Sequence, residues 1–289
     1  MSRVPRKCPI NRVSCRRKDC CQAAGQNLSN NDPTLFHHAL LRHPANSAIH
    51  GLRDVDRGAP NIESLKAEHA GYVQALEQLG VSTTVLDADE AFPDSMFVED
   101  PALVFSTGAI LLRPGAPSRF GETQVIGREL ASRFNPVLVL KDGHSDGGDV
   151  LLTSDHVIIG LSARTNTQGA EALSAALAKL GRQAKIVTPP PGVLHFKTAC
   201  SLVSAKQVLT TKQLIDGGDY FGDLDVIEVP AGEEAAANAL CVNGTVLLAD
   251  GFPKTRAKLE GLGLTVKTLA LDETMKLDAG LSCMSLRWA

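Results

Sequence analysis

The sequence predicts an α/β fold in which about five copies of one strand-strand-helix-strand unit pack around a common centre. Three observations lead to this fold class. Short apolar runs recur at intervals of about 40 to 50 residues. A second β-prone run follows several of them across a turn, and a helical pattern ending at glycine follows some of these pairs. Because one such unit cannot bury its apolar face alone, we expect the copies to pack against one another.

The first strand of each unit is predicted from a short apolar run. These runs are Leu35–Arg42, Ala102–Ser106, Val150–Thr153, Ala199–Ser204, Ala239–Val242 and Leu281–Trp288. No helix follows the last run. We therefore expect it to lie beside Leu35–Arg42, where it would complete the first unit and close the array.

Turn signals join a second strand to three of these runs. The second strands and their turns are Ala109–Leu112 after Thr107-Gly108, Val157–Leu161 after Ser154–His156, and Val246–Ala249 after Asn243-Gly244. Asn-Gly is the strongest two-residue hairpin signal. Each pair is therefore predicted to be an antiparallel hairpin.

Helices and third strands follow in several units. The predicted helices and the glycines that end them are Ser64–Leu79 with Gly80, Gly169–Leu180 with Gly181, and Pro253–Glu260 with Gly261. Further β-prone runs follow at Val81–Leu86, Lys185–Val187 and Leu264–Leu269. The segment near residues 195–235 shows the unit least clearly.

Charge and hydropathy exclude two classes of partner. The 289 residues carry a formal net charge of −3 and a pI near 6.2, so no broad basic face for nucleic acid is expected. No apolar run reaches the roughly 18 residues that would span a bilayer. Beyond the first 21 residues the cysteines are few and scattered, at Cys200, Cys241 and Cys283. Such use of cysteine fits a reducing compartment, and a cytoplasmic location is expected.

The first 30 residues differ in composition from the rest of the chain. They are rich in Arg, Lys and Cys and then in Gln, Asn and Ser, and no apolar stretch makes them a secretory signal. We expect residues 1–30 to be a disordered leader, or the product of a start codon placed too early, before a single domain at 31–289. A small zinc site at Cys8, Cys15, Cys20 and Cys21 is an alternative, although the usual Cys-x-x-Cys spacing is missing.

Residues that can carry chemistry cluster in the loops. The segments are Phe92–Asp100, Arg113–Arg119, Asp146–Asp149, Leu161–Asn166, Leu194-His195 and Ser282-Cys283. Each has an ordinary structural explanation: a cysteine in an apolar strand is usually a small core residue, and Asp-Gly-Gly-Asp is usually a turn. Together, a cysteine, a histidine and carboxylates at the loop ends of a closed array are the parts of a thiol-nucleophile site.

The same segments resemble the dimethylarginine dimethylaminohydrolases, a family of the guanidino-modifying pentein superfamily. The likeness is carried, in order, by Pro93-Asp94, Phe97–Asp100, Arg113–Arg119, Asp146–Asp149, Gly160–Asn166, Leu194-His195 and Leu281–Cys283. It covers roughly residues 35 to 289. The resemblance implies a five-bladed α/β propeller with its site in a central channel, which agrees with the repeats.

The resemblance also implies a reaction and a role for seven side chains. In catalysis, Cys283 is the implied nucleophile, His195 is the general acid and then the general base, and Asp146 is the carboxylate that holds His195 or a substrate nitrogen. In substrate binding, Asp100 is implied to bind the guanidinium and Asp94 to contact the amino-acid end. Arg119 and Arg164 are implied to bind the substrate carboxylate. The implied reaction converts N-omega-methylated arginine to L-citrulline and methylamine or dimethylamine through a covalent thiouronium. No metal or cofactor is implied. The expected partner is a small guanidino amino acid, with neither nucleic acid nor membrane, and a homodimer is left open.

Two departures and two alternatives accompany this hypothesis. Asp146 stands where arginine deiminases have glutamate, and Met284 follows Cys283, so paired thiols that bind a metal are not expected. An arginine deiminase would release ammonia, but that family usually carries an extra helical domain, and there is no room for one between Asp100 and Asp146. A non-catalytic propeller is the other alternative, and such proteins lack the cysteine nucleophile.

Overall fold

Each repeated unit folds as a three-stranded sheet whose middle strand is antiparallel to the first strand and parallel to the third. The structure is a computed structural model that describes Met1 and residues 32–289. The predicted leader and the alternative zinc site lie outside the described residues. Residues 33–289 form one compact unit. Among the described residues, no helix has the length and apolar character needed to cross a bilayer.

The strands follow the predicted order along the chain. They are β1 (His38–Arg42), β2 (Ser82–Leu86), β3 (Ala102–Phe105), β4 (Gly108–Leu111), β5 (Val137–Val139), β6 (Val150–Leu152), β7 (Val157–Gly160), β8 (Ala184–Val187), β9 (Cys200–Ser204), β10 (Gln207–Thr210), β11 (Asp225–Glu228), β12 (Leu240–Val242), β13 (Thr245–Ala249), β14 (Thr265–Leu269) and β15 (Leu286–Trp288). The helices are α1 (Ile62–Gln78), α2 (Glu122–Ala131), α3 (Thr167–Lys179), α4 (Lys212–Gly217), α5 (Pro253–Gly261) and α6 (Asp272–Met275).

The last strand completes the first sheet, as the sequence predicts. β15 pairs antiparallel with β1, with His38 opposite Trp288, and β1 pairs parallel with β2. The remaining four sheets combine β3–β5, β6–β8, β9–β11 and β12–β14. The prediction of five units of a pentein-type α/β fold is therefore confirmed.

Local sequence explains the turns and helix ends. Asn243 and Gly244 have φ angles of 50° and 84° in the β12–β13 hairpin, which is the left-handed conformation that an Asn-Gly turn adopts. Asn166 begins α3 by accepting a hydrogen bond of 2.8 Å from the Gly169 amide. Gly181 follows α3 with a φ of 74°, as expected of a C-terminal glycine.

First strands contact one another at the centre of the fold. β15 contacts β3, and β9 contacts β12. β3, β9 and β12 are almost entirely buried, whereas third strands such as β2 and β14 are half-exposed. The apolar core is therefore shared between units, for example where α3 packs on strands of the second and third sheets.

The structure corrects two predicted boundaries. The predicted strand Leu281–Trp288 is a strand only from Leu286, because Ser282–Met284 forms a 3-10 helix. Leu194-His195 directly precedes a 3-10 helix at Phe196–Thr198, which leads into β9. α5 includes Gly261, and the left-handed glycine after it is Gly263, with a φ of 84°.

Candidate active site

Segments that lead into the first strands converge on one cavity. Asp100 precedes β3, His195 lies shortly before β9, and Cys283 lies shortly before β15. Six of the seven predicted site residues line this cavity: Asp94, Asp100, Arg119, Arg164, His195 and Cys283. The seventh, Asp146, lies behind the imidazole of His195 and is fully buried. The structure therefore brings all seven predicted residues together, although they come from four different units.

The Asp-Gly-Gly-Asp segment brings two of these loops into contact. The Gly147 amide donates to the Asp100 carbonyl oxygen over 3.1 Å, and the Gly148 amide donates to Asp100 Oδ1 over 3.0 Å. A Cβ atom on Gly148 would lie 2.9 Å from Cγ of His195 and 3.0 Å from Asp100 Oδ1. Glycine at this position therefore lets the carboxylate and the imidazole approach each other.

His195 is held by a buried carboxylate. Its Nε2 lies 3.1 Å from Asp146 Oδ2, while Asp146 Oδ1 accepts a hydrogen bond of 2.7 Å from the Gly115 amide. Burial alone would lower the pKa of His195, but the hydrogen bond to Asp146 and the negative charges of Asp100 and Asp149 outweigh it and raise the pKa to about 9. At neutral pH the imidazole is thus a cation able to donate a proton.

Cys283 occupies the 3-10 turn before β15 and is half-buried. Its carbonyl oxygen accepts a hydrogen bond of 3.2 Å from the Glu99 amide, which fixes the turn against the loop of Asp100. Burial raises the pKa of the thiol to about 11, and the carboxylates of Glu99 and Asp100 act in the same direction. The resting cysteine is therefore a thiol, and a cation in the cavity is required to make it a thiolate at neutral pH.

The two predicted arginines differ in their surroundings. Arg119 is buried; it donates to Asp100 through Nη1 and to Glu122 through Nε and Nη2, the Nη2–Oε2 distance being 2.7 Å. Arg164 retains 18% of its side-chain exposure, and its nearest carboxylate oxygen among the described residues, on Asp54, lies 3.9 Å away. Arg164 therefore presents an open guanidinium to the cavity, whereas Arg119 is largely committed to protein acceptors.

Asp94 joins the cavity wall to the segment after the first strand. Its Oδ1 accepts a hydrogen bond of 2.9 Å from the Leu52 amide, and burial raises its pKa against the opposing charge of Arg119. In contrast, Arg119 and His195 hold the pKa of Asp100 below its ordinary value although burial opposes them. Asp100 is thus the ionised carboxylate that acts on the Cys283 thiol.

Ligand atoms of Asp100, Asp146 and His195 lie within 4.8 Å of one another. Within the described part of the chain, this is the one group of three acidic, histidine or cysteine side chains close enough to surround a cation. Asp146 already holds His195 and the Gly115 amide, and Asp100 holds Arg119 and the Gly148 amide. The free carboxylate lone pairs that remain suit a guanidinium, which forms several hydrogen bonds at once.

Sequence reasoning assigned no role to four charged residues that support the site: Glu99, Glu122, Asp149 and Lys197. Glu99 is buried, pairs with Lys197 at 2.5 Å and Arg287 at 3.2 Å, and accepts a hydrogen bond of 3.0 Å from Ser282 Oγ. Glu99 and Asp149 stand inside the motifs that indicated the site, and Glu122 follows Arg119 by three residues. Their partners across the fold are not visible in sequence.

Comparison with known proteins identifies the family. A family model described as arginine deiminase matches residues 90–234. An N(G),N(G)-dimethylarginine dimethylaminohydrolase of Pseudomonas aeruginosa is 40% identical over 257 residues, which cover 88% of this chain and 100% of that protein. The chain belongs to the dimethylarginine dimethylaminohydrolase family. The resemblance inferred from the motifs is thereby confirmed.

Solved structures of dimethylarginine dimethylaminohydrolases have the same fold. A cysteine-to-serine variant of the Pseudomonas aeruginosa enzyme complexed with citrulline superimposes with a TM-score of 0.84 at 38% identity, covering 88% of this chain and 99% of that one. A histidine-to-glycine dimethylarginine dimethylaminohydrolase, as an adduct with S-methyl-L-thiocitrulline, also gives a TM-score of 0.84 at 38% identity, covering 87% and 99% of the two chains.

Proposed function

We propose that this chain hydrolyses N-omega-methylated arginine to L-citrulline and methylamine or dimethylamine, with Cys283 as the nucleophile. The observation that carries the proposal is the set of side chains around one cavity: Cys283, His195 and the carboxylate of Asp100 share it with the open guanidinium of Arg164. A ligand with a guanidinium at one end and a carboxylate at the other complements both. Citrulline and S-methyl-L-thiocitrulline in the related enzymes support this class of ligand.

We assign the binding of substrate as follows. Asp100, with its depressed pKa, accepts hydrogen bonds from the substrate guanidinium and holds its carbon near Cys283. Asp94 contacts the amino-acid end. Arg164 pairs with the carboxylate as a fork. Within the described residues Nη1 of Arg119 donates only to Asp100, so its second hydrogen is left for the same substrate carboxylate.

Ionisation of the nucleophile depends on the substrate. A guanidinium carbon is a poor electrophile, so a thiolate is needed, yet the surrounding carboxylates and burial keep the Cys283 thiol protonated, with a pKa of about 11. The bound guanidinium places a positive charge beside Cys283, where it opposes the effect of the Glu99 and Asp100 carboxylates on the thiol. This charge lowers the pKa of Cys283, and the thiolate forms only when a cationic substrate is present.

The chemistry then has two halves. Cys283 Sγ bonds to the guanidinium carbon, and the tetrahedral adduct breaks its bond to the methylated nitrogen as His195 donates a proton to the leaving amine. A thiouronium remains on the cysteine. His195, now neutral, takes a proton from water, the water oxygen bonds to the same carbon, and the carbon–sulfur bond breaks. The hydroxyl proton of this second adduct passes to the departing thiolate, so neutral citrulline leaves and Cys283 is a thiol again. The proton that the thiol lost when substrate bound has gone to solvent.

Arginine deiminase activity is the second candidate, because the matching family model carries that description. The two reactions differ only in the leaving group. Incubation with asymmetric dimethylarginine and, separately, with arginine will show which amine is released. We expect dimethylamine and citrulline from the first substrate; ammonia from arginine at a comparable or higher kcat/KM would favour the deiminase instead.

The cellular setting follows from the same proposal. We propose a cytoplasmic enzyme that needs no nucleic-acid or membrane partner. The cysteine required for catalysis is a free thiol, as is Cys200, which fits a reducing compartment. Residues 31–289 would form its single catalytic domain.

A further inference from the structure

Asp149 is buried, and its carboxylate accepts three hydrogen bonds from two other loops. Oδ1 accepts from the Phe196 amide over 2.8 Å. Oδ2 accepts from Ser162 Oγ over 2.6 Å and from Thr165 Oγ over 2.7 Å. Burial raises the pKa of Asp149, but the three donors and the nearby His195 oppose that effect. A carboxyl group surrounded by donors functions as an acceptor at both oxygens.

Both hydroxyl groups have a fixed direction. The Thr165 hydroxyl oxygen accepts a hydrogen bond of 3.1 Å from the Asp146 amide, so its own proton goes to Asp149. The Ser162 hydroxyl oxygen accepts from the Arg164 amide over 2.9 Å and from the Thr165 amide over 3.1 Å, so its proton also goes to Asp149. Asp149 is therefore the terminal acceptor of two short hydrogen-bond chains.

Each hydrogen-bond chain starts at the backbone amide of a residue that takes part in the proposed reaction. One begins at the backbone of Asp146, which holds His195 through its side chain. The other begins at the backbone of Arg164. The third contact, to the Phe196 amide, fixes the residue that directly follows His195. None of the three contacts involves the cavity itself, and Asp149 does not line it.

We propose that Asp149 is the positioning residue that sets both ends of the site, the His195–Asp146 pair and the guanidinium of Arg164, in register with Cys283. This inference rests on the proposed function, because it assigns the two ends to catalysis and to carboxylate binding. Loss of the carboxylate releases both ends at once. Loss of the Thr165 hydroxyl group frees the Asp146 amide, whereas loss of the Ser162 hydroxyl group frees the amides of Arg164 and Thr165.

The first test compares two buried carboxylates with the same kind of contacts. Glu233 is buried and accepts from the Lys254 amide at 3.0 Å, and from the amide and hydroxyl of Thr255 at 2.7 Å each, but it serves the start of α5. Asp149→Asn and Glu233→Gln each place an amide where an acceptor is required, and both should lower the melting temperature. Only Asp149→Asn should lower kcat/KM for asymmetric dimethylarginine, by about a hundredfold, because a displacement near 1 Å costs about that much. Equal kcat/KM values for the two variants would overturn the proposal.

The second test separates the two chains. Thr165→Val removes the hydroxyl that accepts a hydrogen bond from the Asp146 amide. This variant should lower kcat about tenfold with KM nearly unchanged. Ser162→Ala removes the hydroxyl that accepts hydrogen bonds from the amides of Arg164 and Thr165. Because the Thr165 hydroxyl still links the Asp146 amide to Asp149, this variant should raise KM about tenfold with kcat nearly unchanged. Thr165→Ser keeps the hydroxyl and should restore the wild-type kcat. If both single variants change the same constant, the two chains do not act separately and the proposal is wrong. These variants also remain informative where Asp149→Asn does not fold.

A substrate-free measurement separates this inference from the proposed function. His195 faces the carboxylates of Asp146, Asp100 and Asp149 and shares the cavity with Cys283. Removal of one carboxylate should lower the imidazole titration midpoint by about half a pH unit or more, measured by NMR with assignment from His195→Gly. Wild-type protein that releases no amine from dimethylarginine would refute the function alone. An unchanged midpoint in Asp149→Asn, beside an unchanged midpoint in Glu233→Gln, would refute the role of Asp149.

Discussion

Arg164→Ala tests whether the substrate is an amino acid. The guanidinium of Arg164 has no tight ion pair in the described structure, since Asp54 is 3.9 Å away and its side chain is 60% exposed. A loose pair of this kind contributes little to folding, so the variant should keep its melting temperature within about 2 °C of wild type. Any change in turnover would then report substrate binding.

The expected magnitude follows from the fork that would hold the carboxylate. A charge-assisted hydrogen bond is worth about 1.5 to 3 kcal/mol, and every 1.4 kcal/mol is about tenfold in affinity. Arg164→Ala should therefore lower kcat/KM for asymmetric dimethylarginine by roughly ten- to a hundredfold, mainly through KM.

The assay measures dimethylamine released from asymmetric dimethylarginine and from its decarboxylated counterpart. Wild type should prefer the amino acid, and Arg164→Ala should lose that preference while its activity on the decarboxylated compound stays nearly constant. Equal loss on both compounds would mean that Arg164 shapes the fold and would refute its assignment. No loss on either would place it outside the site and weaken the case for an amino-acid substrate.

Arg119→Ala is the matched contrast. It leaves the buried carboxylates of Asp100 and Glu122 without their cation, a change that costs about 3 to 5 kcal/mol when a buried pair is broken. The melting temperature should fall by roughly 6 to 20 °C, so the turnover of this variant must be measured below its lowered melting temperature. A melting temperature equal to wild type would show that the guanidinium is not the partner of these carboxylates.

Four further predictions test the nucleophile, the proton donor and two titrations. Cys283→Ser should abolish turnover without unfolding, because an alcohol is not ionised at neutral pH; activity within about tenfold of wild type would remove Cys283 from the mechanism. His195→Gly should slow both amine release and hydrolysis of the covalent adduct, and rapid quench with mass spectrometry should show both effects. A plot of kcat/KM against pH should change slope near the free-enzyme pKa values of about 9 for His195 and about 11 for Cys283. In a plot of kcat against pH, the rising limb should lie at lower pH than in the plot of kcat/KM, because bound substrate lowers the pKa of the thiol. Burial and the neighbouring His43 lower the pKa of His69 to about 4, so the fold should lose up to about 3 kcal/mol of stability as pH falls from the unfolded value of 6.5 towards 4. His69→Leu should flatten that part of the curve of unfolding free energy against pH, and a slope equal to that of wild type would refute the role of His69.

Much of the fold could be predicted from local signals. The Asn243-Gly244 hairpin and the glycines after α1 and α3 are fixed by backbone chemistry that short sequences express. The run from Leu281 was misjudged because apolar character reports burial rather than strand geometry. Leu281 and Met284 are fully buried, as a strand would require, but the chain between them turns as a 3-10 helix.

The site was predictable as a set of residues and not as a set of contacts. Glu122 follows Arg119 by three residues, and that pairing is the kind that sequence spacing can suggest. The pairing of Arg119 with Asp100 joins residues 19 apart, and the contact of Glu99 with Ser282 joins residues 183 apart. The first pair depends on how two loops of the second unit fold back on each other, and the second pair depends on the packing of the first unit against the second. The open state of Arg164 and the committed state of Arg119 are consequences of that packing.

The excess of acid in the cavity explains how a reactive thiolate can be reserved for the proposed substrate. Glu99 and Asp100 oppose ionisation of Cys283 in the empty site, so neutral electrophiles meet a thiol. A guanidinium cancels that opposition while it delivers the carbon to be attacked. Citrulline is neutral and cannot do the same, so formation of product restores the protonated thiol. On the proposed mechanism the charge lost in the reaction therefore favours release of the product and suppresses attack in the reverse direction.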